Sequence, residues 1–445
     1  MNLHRLLLAR HQNNNPIKVG LIGAGKFGTM FLSQARTTTG IHIVGIADLD
    51  IQKAKENCLR SGWKKEQFEA QTYEHALEKN NTCISQDSEK LIKTQGIEVI
   101  VEATGNPIKG ISHCLQCIEN GVHIVMVNVE ADVLAGPLLA SKAQKAGVCY
   151  SLAYGDQPAL ICEHVDWARA IGFEVTCAGK GTRYLPDFHS STPDTVWDNF
   201  GWDLEVVKRG GLNPKMFNSF IDGTKSGIEM SAVCNATGLT PQSEGLGFPP
   251  ASRFEIADIC KPKEFGGKLE HFGTTEVVSS LQRDGTSVPN HLQVGTYVVV
   301  EADSDYVKHC FEEYTMLPDK SFRFSALYRP IHMIGLELGI SIASTVLRNE
   351  PTGSPLEFRS DVVATAKKKL HQGELLDGEG GFCLWGKQMS SIESIKNDCL
   401  PLGLANEVKL NKDVQEGEQI CWNDVEINMN QQAVKIRREM EDLFV

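Results

Sequence analysis

No run of apolar residues in this chain reaches the roughly 18 that a membrane span needs. The longest helix-like run, Ile334 to Leu347, is interrupted by Glu337. Near the start, Leu6 to Ala9 are the only consecutive apolar residues before Arg10, short of the roughly 7–15 of a secretory core segment. A cytoplasmic location without membrane contact is therefore expected. Basic residues are not in excess: 44 Lys and Arg stand against 56 Asp and Glu, a net charge of −12. That balance argues against a nucleic-acid binder, which needs positive charge for polyphosphate. Repeats and low-complexity tracts are absent. Of the 13 cysteines, Cys114 and Cys117 have CxxC spacing, but they stand at i, i+3 in a helical pattern with no second pair to complete a zinc site. The thiols are expected to be reduced packing residues.

What the chain does have is length and alternation. Its 445 residues suggest about three domains at roughly 150 residues each. Residues 1–15 read as an arm ending at Pro16. Apolar strands are expected over 17–22, 41–47, 97–103, 123–128 and 149–153, with helices between them near 29–36, 50–60, 109–120 and 137–146. The polar stretch 61–95 reads as an insertion with a helix. Apolar strands alternating with helices predict an α/β fold, a Rossmann-type doubly wound parallel sheet buried on both faces. This domain is placed at 1–154. From 155 to 325 glycine, proline and aromatic residues increase, and strands near 172–178, 272–282 and 292–301 suggest an α+β substrate and dimerisation domain. Residues 326–374 read as helices returning to the core with a linker, one helix over 326–348 and another over 360–371 ending in Lys367, Lys368 and Lys369. The tail, 375–445, is broken into short segments. Exposed strands of the second domain would pair across a two-fold axis, so a homodimer is expected.

Gly23-Ala24-Gly25-Lys26-Phe27-Gly28 follows the first strand and opens a helix, and Asp48 ends the second strand. In that context the spacing is a dinucleotide fingerprint. The first glycine permits the turn, the second admits the pyrophosphate, and the third packs helix on strand. Lys26 and Phe27 supply N–H groups at the helix start, where the dipole favours phosphate. Asp48 would accept hydrogen bonds from the ribose hydroxyls and repel a 2′-phosphate, favouring NADH. A glycine turn without cofactor is the plainer alternative. Thr104, Gly105 and Asn106 follow another strand, and Asn128 a further one, at the edge that faces ligands in such sheets; Asn106 also suits a simple turn before Pro107.

Other polar groups suggest chemistry. Glu130 and Asp132, just past a strand, could hold a divalent ion, Mg or Mn, or cap the next helix. Asp156 and Gln157 could contact substrate or open a helix at Pro158. Asp222, Lys225 and Glu229 fall on one helix face, where a lysine between acids suits proton relay to a substrate oxygen; a solvated face is the alternative. Asn235 begins the turn after that helix and could touch substrate. Lys180 and Arg183, in the glycine-interleaved stretch 179–184, could bind an anionic group or be surface charges.

The stretches Val101–Asn106, Gly121–Asn128 and Leu134–Pro137 resemble the nucleotide domain of homoserine dehydrogenases. The whole chain resembles a homoserine-dehydrogenase-like branch with a C-terminal SAF (β-clip) domain, on Leu400–Ala405, Val414–Glu418 and Trp422–Val425. That branch includes 1-deoxy-D-xylulose 5-phosphate reductoisomerase-like enzymes of isoprenoid precursor synthesis by the methylerythritol phosphate route. The resemblance implies NADPH, a divalent metal and a phosphorylated small-molecule substrate. It assigns the family's helix with an acid and a catalytic lysine to Asp222, Lys225 and Glu229. The position after Asn128, lysine in homoserine dehydrogenases, is Val129 here. The expected activity is an NAD(P)H-dependent oxidoreductase. The alternatives are oxidation of an amino-acid alcohol such as homoserine, or NAD(P) sensing without turnover.

Overall fold

A computed structural model describes residues 2–314 and 316–444. The chain divides into two compact units: Met1–Leu160 with Met333–Leu356, and Ile161–His332 with Glu357–Val445.

The first unit is built on a six-stranded parallel sheet: β1 (Ile17–Ile22), β2 (Ile41–Ala47), β3 (Cys83–Ser85), β4 (Val99–Glu102), β5 (His123–Met126) and β6 (Tyr150–Leu152), in the order β3-β2-β1-β4-β5-β6. Leu21 pairs with Ile46 on one side and Val101 on the other, so the strand order reverses at β1 and β4. In an open α/β sheet the ligand crevice lies at that reversal, beyond the carboxyl ends of the strands. The segment expected as an insertion supplies edge strand β3 and the helix Ser88–Lys93. Gly45 makes room for that helix: a Cβ there would lie 2.4 Å from Leu91 Cδ1.

Three expectations for this unit are corrected. The arm is a helix, Leu3–Gln12, because Leu3 and Leu7 fall on one face and bury in the sheet's core with Ile342 and Ala343. The helix expected at Pro137 begins at Val129, since Asn128 caps it by accepting the Ala131 amide at 3.1 Å and the proline is carried inside. The single helix expected over 326–348 is only Gly339–Arg348. Pro330 cannot continue a helix, Gly335 turns the chain at φ +75°, and Phe324–Arg329 is a strand.

The second unit has a mixed sheet of β7 (Glu174–Thr182), β8 (Thr274–Ser279), β9 (Thr296–Glu301), β10 (Leu317–Pro318) and β11 (Phe324–Arg329), in the order β10-β11-β9-β7-β8. Only β7 and β8 run parallel in it. One face packs Ile161, Val165, Met230 and Val233 against Val277 and Val298. The other packs Ile256 and Cys260 against Tyr297 and Phe324. Beyond it come β12 (Ser360–Ala366), β13 (Leu375–Asp377), β14 (Leu384–Ser390), β15 (Asn406–Leu410) and β16 (Val425–Glu426), with β12 paired to β14 and β15 between β13 and β16. The helix expected over 360–371 is thus β12. Every one of its residues is buried, so neither alternation nor a polar stripe marks it, and its β-branched Val362, Val363 and Thr365 favour the pleat. The closing helix, Gln432–Phe444, is held by Arg437, whose buried guanidinium meets Asp361 at 2.5 Å and Glu441 at 2.7 Å.

Candidate active site

In the first unit the glycine loop has the form a dinucleotide needs. Gly23 sits at φ +95°, and a Cβ on it would lie 2.6 Å from the Ala103 carbonyl oxygen. A Cβ on Gly28 would lie 2.4 Å from the Gly23 oxygen, so the third glycine lets the helix seat on the turn. Around Gly25 the space is open, with no heavy atom within 4 Å of a built Cβ, and Gly25 caps the helix Lys26–Ala35. The amides of Lys26, Phe27 and Gly28 therefore lack helical acceptors behind them. An open cradle at the positive end of a helix fits a pyrophosphate.

Asp48 reaches across this loop. Its Oδ2 accepts the Ala24 amide at 2.7 Å and its Oδ1 the Asp50 amide at 2.9 Å. Each carboxylate oxygen keeps a further lone pair, enough to receive two ribose hydroxyls. Asp50 in turn caps the next helix through the Lys53 amide.

At the ends of β4 and β5 the polar residues form one network. Asn106 caps the helix Pro107–Glu119, and Asn128 is buried with its Nδ2 donating to the Asn106 oxygen at 2.8 Å. The Thr104 hydroxyl donates to Glu102 Oε1 at 2.5 Å, and His113 Nδ1 lies 3.2 Å from the same oxygen. Glu102, fully buried with Oε2 lacking a hydrogen-bond partner, was not singled out by the sequence, because one acid at the end of an apolar strand carries no pattern. Gly105 turns the chain at φ +65°.

Glu130 and Asp132 do not converge. Both lie in the first turn of the helix Val129–Lys145, and two residues along a helix is about 200° of rotation. Asp132 is fully buried, takes the Tyr150 hydroxyl at 2.7 Å, and burial pushes its pKa up to about 7. The pair does not fit a shared metal, and among the described residues no group of three or more His, Cys, Asp or Glu gathers to hold one. Asp156 and Gln157 are buried at the start of the helix Gln157–Ala170, with Asp156 Oδ1 accepting the Gln157 amide at 2.9 Å.

In the second unit the stretch expected as a basic loop is strand β7. Its glycines answer crowding: a Cβ on Gly179 or Gly181 would lie 1.8 Å from the oxygens of Glu276 and Leu292. Lys180, between them, is buried and paired with the buried Glu229. Arg183 is half-buried and donates to the Asn199 oxygen at 2.8 Å, with burial lowering its pKa. Asp222 pairs instead with Lys367 at 2.7 Å, and its Oδ1 accepts the Thr224 amide at the head of the helix Thr224–Thr237. Lys225 is partly exposed on that helix. The expected triad of Asp222, Lys225 and Glu229 is thus resolved into two buried ion pairs with lysines from β7 and from the residue just past β12. Asn235 is fully buried; its Oδ1 takes the amides of Arg359 and Ser360 at 2.8 and 2.9 Å, so it tethers backbone.

His189 lies beside the Asp222–Lys367 pair. Its Nδ1 is 2.7 Å from the Asp222 carbonyl oxygen and its Nε2 2.8 Å from the Tyr184 hydroxyl, which assigns the proton to Nδ1. Burial lowers its pKa, in keeping with that neutral ring. Its ring stacks on Trp385 at 3.9 Å. A cavity of about 210 Å³ opens there, lined by Gly223, Gly227, Thr365, Trp385 and Gln388 among others. Gly223 and Gly227 lie two positions from Lys225 and Glu229, so the cavity is on the opposite side of that helix.

Two family models match the chain. Residues 19–152 match the homoserine dehydrogenase NAD-binding domain, and residues 155–338 match the catalytic domain of oxidoreductase DRL. Both matched models describe domains of oxidoreductases, the first of them an NAD-binding domain. No curated protein matches it. Among solved structures it is similar to an NAD-binding oxidoreductase from Klebsiella pneumoniae (19% identity, 38% of this chain and 43% of that one, TM-score 0.28). It is also similar to a probable dehydrogenase from Thermotoga maritima (13%, 75% and 90%, 0.39). A third likeness is to a myo-inositol dehydrogenase from Lactobacillus casei (14%, 41% and 50%, 0.28). The chain thus spans less than half of the Klebsiella protein's length, and at these scores the likenesses carry no information about substrate. Among the described residues no helix is long and apolar enough to cross a membrane.

Proposed function

We propose that this enzyme is an NADH-preferring reductase of a small polar carbonyl compound, and the single observation that carries the reading is the Asp48 carboxylate laid across the glycine loop. A negative charge at the end of β2 accepts the 2′- and 3′-hydroxyls of an adenine ribose and repels a 2′-phosphate. The bound nicotinamide supplies the hydride. The chain's own part is to hold the dinucleotide at the Gly23–Gly28 turn and to supply a proton. For that proton we assign Lys180, which is buried and paired with the buried Glu229. Negative charge grows on a carbonyl oxygen as its carbon is reduced, and an ammonium donor is strongest in a dry setting. Hydride to carbon and the proton from Lys180 to oxygen together make the alcohol.

The concrete version is reductoisomerase-like conversion of 1-deoxy-D-xylulose 5-phosphate, with the β-rich segment 375–445 read as SAF-like. What supports it is the catalytic-domain match over 155–338 together with buried lysine–acid pairs suited to an oxo group. Glu130 and Asp132, on different faces of one helix, do not fit a shared metal. The match of 19–152 to the homoserine dehydrogenase domain favours a second reading, oxidation of an amino-acid alcohol. An assay panel of the full chain decides between them. Nicotinamide absorbance is followed with the ketose phosphate, with and without Mg or Mn, and with homoserine. Oxidation of NADH by the ketose phosphate supports the first version. Turnover of homoserine alone replaces it.

A further inference from the structure

We propose that Cys399 and Cys421 form a reversible cross-strand disulfide, a thiol modification site in the C-terminal β-rich part of the chain. The two residues are partners in an antiparallel bridge. The flanking hydrogen bonds, Leu400 amide to Ile420 oxygen at 2.7 Å and Trp422 amide to Asp398 oxygen at 2.9 Å, place them at a non-hydrogen-bonded position. There the α-carbons of facing residues are about 4.5 Å apart and the side chains share one face. A disulfide needs about 4.4–6.8 Å between α-carbons, so the bond closes without moving a strand. The thiols also approach one acceptor: the Asn397 carbonyl oxygen is 4.0 Å from Cys399 Sγ and 3.4 Å from Cys421 Sγ. Both sulfurs are therefore on the same side of the bridge.

Access separates this pair from the other cysteines. Eleven of the thirteen are buried, and only Cys310 and Cys421 are partly exposed. Cys177 and Cys260 share the Tyr297 hydroxyl, at 3.7 and 3.3 Å, but both are shut off from solvent. Cys421 is thus the entry thiol and the buried Cys399 the resolving one. A low-molecular-weight disulfide such as oxidised glutathione is the oxidant. The Cys421 thiolate attacks one of its sulfurs, an S–S bond to the protein forms, and one glutathione thiolate leaves. The Cys399 thiolate then attacks the Cys421 sulfur and releases the second. The protons of the two cysteines end on two glutathione thiols, and two electrons pass from the pair to the oxidant.

The surroundings set the rate. Asp398 and Asp424 face Cys421 with Lys412 opposing them, and Asp361, Asp398 and Asp424 face Cys399. Burial and these acids raise both thiols, Cys399 to about 12, so exchange is slow at neutral pH and quickens with alkalinity. Once closed, the bond ties off residues 400–420, which hold Pro401 and Gln419 against Val363 and Thr365 of β12.

The test incubates the full chain with oxidised and reduced glutathione at mildly alkaline pH, traps remaining thiols with iodoacetamide, and maps the peptides. The expected product is a Cys399–Cys421 cross-link, about 2 Da lighter than the dithiol, reversed by dithiothreitol. With Cys399→Ser, Cys421 should carry glutathione; with Cys421→Ser, Cys399 should stay free. Two wild-type outcomes overturn the proposal, whatever the variants do: Cys421 ending as the glutathione adduct with no cross-link, or both cysteines recovered fully alkylated under oxidising conditions that glutathionylate Cys310.

Discussion

Asp222 and Lys367 meet at 2.7 Å with both side chains closed off from solvent. The Lys367 ammonium donates to the oxygens of Ser191 and Gly381, at 2.6 and 2.8 Å, which hold it beside the acid. Removing one member of such a pair strands a buried charge, at a cost of about 3–5 kcal/mol. Lys367→Met is expected to lose that much in urea unfolding, and Asp222→Asn with Lys367→Met to lose less than the single lysine change. A single-variant loss below about 1 kcal/mol, the range of exposed pairs, would show that the two do not depend on each other.

Lys180 and Glu229 give a different expectation, because the proposal assigns them to the reaction. Lys180→Met, with Glu229→Gln added to neutralise the stranded acid, should keep its fold by circular dichroism and its affinity for NADH. Its kcat should fall by about 10²–10⁴, the usual share of a positioned proton donor. Turnover at the wild-type rate would remove Lys180 from the chemistry.

Asp132 makes stability depend on pH. Burial raises its carboxyl to about 7 in the folded protein from an ordinary 3.8. Well below the ordinary 3.8 both states are protonated and nothing is lost. Between about 4 and 7 the unfolded chain ionises first, so the folded form loses stability as pH rises, by about 4 kcal/mol for a shift of about three units. Above that the loss is constant. Asp132→Asn keeps an acceptor for Tyr150 without the charge. It should raise the melting temperature at pH 7 and leave it little changed at pH 4. Equal effects at both pH values would contradict the assignment.

The parts of this protein that were legible in its sequence are those encoded locally. Gly23, Gly25 and Gly28 stand next to the strand and helix they join, and Asp48 ends the neighbouring strand, so spacing alone placed them. The buried lysines were not legible. Lys180 lies between glycines that suggest a loop, whereas the structure uses those glycines for close strand contact. Lys367 heads a basic run that suits a helix end, yet it closes a strand and pairs with an acid 145 positions earlier. Asp222, Lys225 and Glu229 do share a helix, but tertiary partners decide which lysine each acid meets. The facing of Cys399 and Cys421 depends on a bridge register that no local pattern records.

Which pyridine nucleotide the loop at Gly23–Gly28 holds decides the proposed chemistry most directly. Calorimetric titration of the full chain with NADH and with NADPH measures it. The prediction is that NADH binds at least about tenfold tighter, a difference of about 1.4 kcal/mol, and that Asp48→Ser erodes this preference. Tighter binding of NADPH, or no binding of either nucleotide by folded protein, would contradict it.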